Sequence, residues 1–114
     1  MSVKINKREV GGITVVDLSG RLTLGDASAQ LRGTLRELLD AGKKKIVLNL
    51  GQVNYIDSSG LGELVSGFTT VKNQGGQLKL ANLTQKVNDL LTITKLYTVF
   101  EVHNDESAAV QSFS

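Results

Sequence analysis

The chain has 114 residues, no cysteine and a formal net charge of +2, and 40% of its residues are hydrophobic. A chain of this length forms a single domain, here residues 1–114, and buries roughly two-thirds of its surface. The lack of cysteine excludes disulfides, thiolate metal sites and cysteine nucleophiles. The net positive charge is small and the chain has no tryptophan to stack on bases, which argues against direct DNA binding.

The first half of the chain predicts two strands and a helix. Val3–Glu9 alternates loosely and Ile13–Leu18 is rich in β-branched residues, with Gly11-Gly12 as a hairpin turn between them. Residues 23–26 predict a loop whose last residue can cap the following helix, expected at residues 27–41. The inner face of that helix carries four leucines: Leu31, Leu35, Leu38 and Leu39.

The second half alternates strands with helices. The expected elements, in order, are a strand at 46–50, a short connection ending at 56, a helix to about residue 73, a strand at 77–81, a helix from residue 82 or 84, a strand at 97–102 and a terminal helix from residue 105. The whole order is therefore β-β-α-β-α-β-α-β-α. Strands separated by helices favour parallel pairing, and the first hairpin adds an antiparallel pair, so we expect an α/β fold with a mixed, mostly parallel sheet.

A polar and glycine-rich junction joins the third strand to the second helix. It consists of Asp57, Ser58, Ser59, Gly60, Leu61 and Gly62. Beyond it, apolar residues recur at helical spacing: Leu61, Leu64, Val65, Phe68 and Val71. Asp and Ser are favoured at the N-cap because their side-chain oxygens accept from free backbone N–H groups, and the positive end of a helix suits an anion.

The simplest interpretation of this junction is a helix cap, with Asp57 as the capping residue. A cap alone leaves two features of the junction unexplained. One residue is enough for a cap, whereas three polar residues stand in a row here. Gly60 and Gly62 each cost roughly 1 kcal/mol relative to Ala inside a helix. That cost is offset either by close helix–sheet packing or by close approach of another molecule, so we expect a surface presented to a partner.

Other classes of function are less well supported by the sequence. An enzyme with Ser58 as its nucleophile, beside Asp57, is one alternative. However, the only histidine, His103, has no motif around it. The segment also lacks the Gly-x-Ser-x-Gly sequence of a nucleophile elbow. No phosphate-binding loop or cluster of metal-ligand residues is present, so we predict no cofactor, no metal site and no enzyme activity. No basic-then-apolar leader or run of ~18 apolar residues is present, which predicts a cytoplasmic protein without membrane insertion.

The junction and its neighbours resemble a known family. Residues 45–50, the Tyr55–Gly62 run and residues 75–78 together resemble the anti-sigma factor antagonists of the STAS domain family, and the likeness extends from Leu18–Leu22 to the final strand. The resemblance implies a STAS-like fold and a bacterial partner-switching module. Its members bind a serine kinase that is also an anti-sigma factor, are released when that kinase phosphorylates one serine, and are reset by a serine phosphatase.

By motif position, the resemblance implies that the phosphorylated residue is Ser58, with Ser59 as the fallback. The predicted partner-binding residues are Thr23, Leu24, Asp26, Asp57, Ser58, Ser59, Gly60 and Gly62. One departure concerns Thr23, because the family often carries an acidic residue there and the nearest acid here is Asp26. A non-switching STAS scaffold or transporter-associated subunit stays open as the alternative, and the sequence does not specify an oligomeric state.

Overall fold

A computed structural model describes residues 3–113, and Met1, Ser2 and Ser114 lie outside the described residues. The strands are β1 (Val3–Val10), β2 (Ile13–Leu22), β3 (Lys45–Ile56), β4 (Gln77–Ala81) and β5 (Glu101–His103). The helices are α1 (Asp26–Asp40), α2 (Ser58–Asn73), α3 (Gln85–Thr94) and α4 (Glu106–Gln111), and a short 3₁₀ turn spans Leu96–Thr98. The predicted order of strands and helices is therefore confirmed.

The five strands form one mixed sheet in the order β1-β2-β3-β4-β5. β1 and β2 pair antiparallel, and the remaining neighbours pair parallel, as the sequence predicts. Gly11 and Gly12, which join β1 to β2, have φ angles of +58° and +83°. A two-residue hairpin turn with both central residues at positive φ matches the twist of its strands, and glycine adopts that conformation at little cost.

The sheet divides the core into two clusters. The larger cluster contains buried residues of α1, α2 and α3, whereas the smaller one contains Ala109 of α4. Val16 belongs to the first cluster and its neighbour Val15 to the second, because successive side chains of a strand point to opposite faces. Within α2, Leu61, Leu64 and Val71 are buried, while Val65 and Phe68 are partly buried against the larger cluster.

The predicted ends of β2 and β3 are wrong. β2 extends to Leu22 and β3 to Ile56, and the two strands pair as far as these residues, with register shifts on the way. The segment expected to be a connection, residues 51–56, is thus part of β3. Val53 is fully buried between exposed Gln52 and Asn54, so the alternation of a strand continues through polar residues that resemble a loop by composition.

The last predicted strand is also misplaced. Tyr97 and Thr98 lie in the 3₁₀ turn, and β5 covers only Glu101–His103. Phe100 instead packs against Phe68 of α2, with the ring centroids 5.5 Å apart and nearly perpendicular. The predicted strand therefore begins too early, and Phe100 is apolar because it packs onto α2 and not because it pairs in the sheet.

A polar network runs across the face of the sheet that α4 covers. The Arg8 guanidinium donates to Asp17 at 2.6 and 2.9 Å and to Glu106 of α4 at 2.5 and 3.3 Å. Asn49 donates to Asp17 at 2.8 Å, and Asn82 donates to Asn49 at 3.1 Å. The hydrogen bonds from Arg8 hold the pKa of Asp17 below its ordinary value of 3.8.

The other end of α4 is attached to the sheet through Lys79. Its ammonium group donates to the Ser112 carbonyl at 3.1 Å and to the Ser112 hydroxyl at 2.8 Å, and it lies 4.2 Å from the centroid of Phe113. The same group is 3.0 Å from Glu101. Hydrogen bonds from His103 and Lys79 lower the pKa of Glu101. Polar contacts therefore secure both ends of a six-residue helix.

The Arg8–Asp17 contact predicts a pH-dependent contribution to stability. We expect Asp17→Asn to lower the free energy of unfolding at neutral pH by roughly 1–2 kcal/mol, because a partly exposed charged hydrogen bond is lost. Since the folded-state pKa of Asp17 is depressed, this contribution is complete above its ordinary pKa of 3.8 and is lost as the pH falls through the folded-state value.

Urea unfolding of both proteins across this pH range measures the effect. The control is Asp40→Asn, which removes an exposed carboxylate with no ion pair among residues 3–113. A difference between wild type and Asp17→Asn that stays constant down to strongly acidic pH would contradict this account of the network.

Candidate functional site

The junction lies at the carboxyl ends of the two longest strands. Leu22, the last residue of β2, pairs with Ile56, the last residue of β3. The Asp57 N–H then donates to the Leu22 carbonyl at 3.4 Å. The loop before α1 and the start of α2 therefore leave the same edge of the sheet side by side. In open α/β sheets this edge, beyond the carboxyl ends of the strands, is the usual place for binding sites.

Asp57 is the N-cap of α2, as the sequence indicates. Its backbone is extended, its Oδ1 accepts from the Gly60 N–H at 2.8 Å, and its carbonyl accepts from the Leu61 N–H at 2.9 Å. The first N–H groups of a helix have no partner within it. The N–H groups of Ser58 and Ser59 thus have no acceptor in the described part of the chain and point out of the positive end of the helix.

The side chains of Ser58 and Ser59 are both exposed. Within residues 3–113, neither hydroxyl hydrogen-bonds to another group of the protein. Two serines at the start of a helix would ordinarily contribute caps, but Asp57 alone does this here. Both hydroxyls are therefore accessible to another molecule, and their removal would break no contact that holds the fold together.

The two glycines of the junction serve different purposes. A Cβ on Gly60 would lie 2.0 Å from the Leu22 carbonyl oxygen and 3.2 Å from Ile56 Cγ1. Gly60 is buried, so its role is the close helix–sheet packing that the sequence left open, and its contact with a partner stays a prediction. Gly62 is exposed, and a Cβ there would meet no atom within 4 Å, so it leaves the outer side of α2 bare.

The loop before α1 presents one large apolar side chain. Leu24 is 77% exposed, whereas Thr23 is partly buried and its carbonyl accepts from the Ser28 hydroxyl at 2.9 Å. The prediction that the end of this loop caps α1 is wrong. Gly25, with φ +100°, is the N-cap and provides no side-chain hydrogen bond, and Asp26 is the first helical residue. An acid in the first turn still interacts favourably with the helix dipole.

An ion pair that the sequence analysis missed joins α1 to α2 beside the junction. The side chain of Glu63 is only 8% exposed, and its carboxylate accepts from Arg32 at 2.8 and 3.3 Å. The sequence did contain a sign of this pair, because Glu63 stands next to Leu64 on the inner side of a helix and carboxylates are rarely buried unless they are paired. The pair fixes the first two turns of α2 against α1.

A second missed cluster involves three residues far apart in the sequence. The guanidinium carbon of Arg21 lies 4.5 Å from the centroid of the Tyr55 ring, and the Lys86 ammonium lies 5.1 Å from it. Both cations are exposed, and neither forms an ion pair within the described residues. Because Tyr55 precedes Asp57 by two residues, the cluster borders the junction.

The arrangement contains no catalytic machinery around Ser58. His103 bonds to Glu101 at 2.6 Å on β5, and β4 separates β5 from the strand that leads to Ser58. Among residues 3–113, no three His, Asp or Glu side chains are placed to hold a metal ion. Within the same range, every helix is too short or too polar to cross a membrane. The junction is open to a modification or a partner, and within residues 3–113 no side chain hydrogen-bonds to the Ser58 hydroxyl.

Comparison with known proteins identifies the family. The family model described as STAS domain matches residues 4–109, which is nearly the whole chain. The chain belongs to the STAS domain family. The anti-sigma-B factor antagonist of Bacillus subtilis is 32% identical to this STAS domain over 97% of this chain and 100% of its own. The anti-sigma F factor antagonist of Paenibacillus polymyxa is 26% identical over 96% and 94% of the two chains.

A solved structure confirms the STAS fold. The crystal structure of the Thermotoga maritima protein TM1081 superposes with a TM-score of 0.86 and 25% sequence identity, covering 95% of this chain and 92% of that one. The mixed five-stranded sheet with its helices is therefore the fold of the family, and the resemblance noted from the sequence alone is confirmed.

The two glycines of the junction give a matched pair of variants. Gly62→Ala should stabilise the protein by about 1 kcal/mol, since alanine favours the helix and nothing obstructs its methyl group. Gly60→Ala should destabilise it by roughly 1–3 kcal/mol or more, because the methyl group collides with the Leu22 carbonyl. Thermal or urea unfolding measures both effects. Equal stability of the two variants would contradict the packing described for the start of α2.

Proposed function

We propose that this STAS-domain protein is an anti-sigma factor antagonist controlled by phosphorylation of Ser58. In its unphosphorylated form it binds a serine kinase that is also an anti-sigma factor, and this binding releases the sigma factor. Phosphorylation by that kinase ends the interaction, and a serine phosphatase restores it, all in the cytoplasm. The observation that carries the proposal is the exposed, unbonded Ser58 hydroxyl at the first position of α2, and the names of the relatives support it.

The surroundings of the two serines favour Ser58 over Ser59. Residues four apart lie on the same side of a helix and interact. Four residues beyond Ser59 is the side chain of Glu63, which already forms an ion pair with Arg32. Four residues beyond Ser58 is Gly62, which has open space around it. A phosphate on Ser58 therefore meets neither a like charge nor a steric obstacle along the helix.

The start of α2 tolerates the charge of a phosphate. A phosphoserine carries about −1.5 to −2 charges at neutral pH. The unpaired N–H groups of Ser58 and Ser59 and the helix dipole favour an anion at this position. Because the unmodified hydroxyl is exposed and makes no hydrogen bond within residues 3–113, phosphorylation breaks no hydrogen bond there, and we expect the fold to stay nearly unchanged.

The effect of the phosphate therefore falls on the complex. A hydroxyl fits into a dry protein interface, whereas a doubly charged group must be desolvated there. A penalty of about 3–4 kcal/mol for an unpaired charge in an interface would weaken binding several-hundred-fold. That change is large enough for the kinase to exchange one partner for another.

Neighbouring residues supply the rest of the partner surface in this proposal. Leu24, 77% exposed on the adjacent loop, offers an apolar contact, and Gly62 lets the partner approach the helix closely. Asp26 is exposed in the first turn of α1 and provides the negative charge of a loop in which Thr23 takes the family's usual acidic position. Asp57 acts indirectly, because its carboxylate holds the Gly60 N–H and with it the position of Ser58.

Phosphorylation can be tested directly with the candidate kinase and ATP. We expect mass spectrometry of the peptide spanning the junction to show one added phosphate in the wild type and in Ser59→Ala, and none in Ser58→Ala. Phosphate on Ser59 alone would overturn the assignment. No phosphate on any of the three proteins, with an active kinase, would leave the non-switching scaffold or transporter-associated subunit as the better explanation.

A charge at position 58 should act on binding and not on folding. We expect Ser58→Asp to weaken kinase binding at least tenfold, a loss of about 1.4 kcal/mol, while circular dichroism and unfolding stay native. Isothermal titration calorimetry measures the affinity. Ser66→Asp, on an exposed position two turns further along α2, is the matched control and should bind as the wild type does. Equal affinity of the wild type and the Ser58→Asp variant would refute the switch.

A further inference from the structure

We propose that Arg21 and Lys86, gathered on the ring of Tyr55, form a docking point for an acidic patch on the protein that binds the start of α2. This inference rests on the proposed function, because it assumes that the same partner covers the exposed serine. It names a second contact region on that partner, with a defined chemistry. The cluster is referred to below as the basic cluster and consists of Arg21, Tyr55 and Lys86.

The basic cluster brings two like charges together without an acid to separate them. Both cations lie within about 5 Å of one ring centroid. Two other basic side chains of the sheet have carboxylate partners in their place, Arg8 with Asp17 and Lys79 with Glu101. Two cations that share one ring repel each other in the free protein, and an incoming anion relieves this repulsion.

The position of Lys86 supports a role beyond stability. It is the second residue of α3, after the N-cap Thr84 and Gln85. A cation in the first turn of a helix is unfavourable, since the helix dipole is positive at that end. The placement of Lys86 therefore works against α3, and its contact with Tyr55 and a negatively charged partner explains it better than helix formation does.

The basic cluster and the junction share the same backbone segments. Arg21 pairs with Tyr55 in the β2–β3 register, one step before Leu22 and Ile56. Two residues further along each strand come Thr23, which begins the loop before α1, and Asp57, which caps α2. A partner that covers Ser58 and Leu24 thus lies within reach of both cations without any rearrangement of the sheet.

Carboxylates of a protein fit the basic cluster better than a nucleic acid does. Nucleic-acid sites track a phosphate backbone with a long basic groove or stripe, whereas here two cations and one ring form a small, isolated point on a chain of net charge +2. The planar guanidinium of Arg21 can accept a carboxylate as a bidentate partner, and Lys86 adds a second positive charge beside it.

Such a contact acts mainly on the rate of association. Complementary charges at the rim of an interface speed encounter and make it sensitive to salt. The matched variants are Arg21→Gln, Lys86→Gln and their combination, and the control is Lys44→Gln, an exposed lysine of the turn before β3, at the opposite end of that strand. All remove positive charge, but only the first three do so beside the junction.

Stopped-flow association with the purified kinase tests the docking point. We expect the double variant to associate about tenfold more slowly than wild type at low salt, with a much smaller difference at high salt. Lys44→Gln should stay within about twofold of wild type. A double variant that behaves as Lys44→Gln does would overturn the inference, even if Ser58 phosphorylation still releases the kinase as proposed.

A second measurement does not depend on the kinase. In ¹⁵N NMR titrations of the full chain, we expect hexaglutamate to shift the Arg21 side-chain signal and the amides near Lys86, and the double variant to lose these shifts. No response of the wild type to hexaglutamate, or a larger response to inorganic phosphate or oligothymidine, would refute a carboxylate docking point. If the kinase fails to bind at all, the proposed function fails, and this titration still decides whether the basic cluster binds carboxylates.

Discussion

The close approach of α2 to β2 at Gly60 is the constraint on which the site depends. Without a side chain at this position, the helix begins directly against the Leu22 carbonyl, where even one methyl group would lie 2.0 Å from the oxygen. Asp57 then bonds the Gly60 N–H from the outside, so the first turn is held from both sides. Ser58 has no part in either contact, and this leaves its hydroxyl free at a fixed place on the surface.

The contacts that hold the fold and the groups that are exposed thereby belong to different residues of the junction. Asp57, Gly60 and Leu61 hold the helix to the sheet, whereas Ser58, Ser59 and Gly62 are exposed. A charged group can be added to the exposed set with little effect on the buried set. The ion pair between exposed Arg32 and buried Glu63 reinforces this arrangement, because it joins α2 to α1 one turn beyond the serines.

Local patterns in the sequence predicted most of the fold and the location of the candidate site. The β-branched run of β2, the leucine stripe of α1 and the Gly11-Gly12 turn each depend on neighbouring residues and were predictable. The end of β3 and the packing of Phe100 were not predictable. Gln52 and Asn54 have the composition of a loop, and the position of Phe100 depends on α2, which is distant in the sequence. The basic cluster and the Arg32–Glu63 pair join residues of different elements, which no local spacing could reveal.

The attachment of α4 has a consequence for how the molecule opens. Six residues are too few to remain helical alone in water. The helix α4 therefore depends on its Asp105 N-cap, on Arg8 and Lys79 at its ends and on the small apolar cluster under it. Such a segment detaches at a lower free energy than the sheet unfolds. We therefore expect local opening, with the proteolytic cleavage and hydrogen exchange that follow from it, to include α4, on the side of the sheet that faces away from α1, α2 and α3.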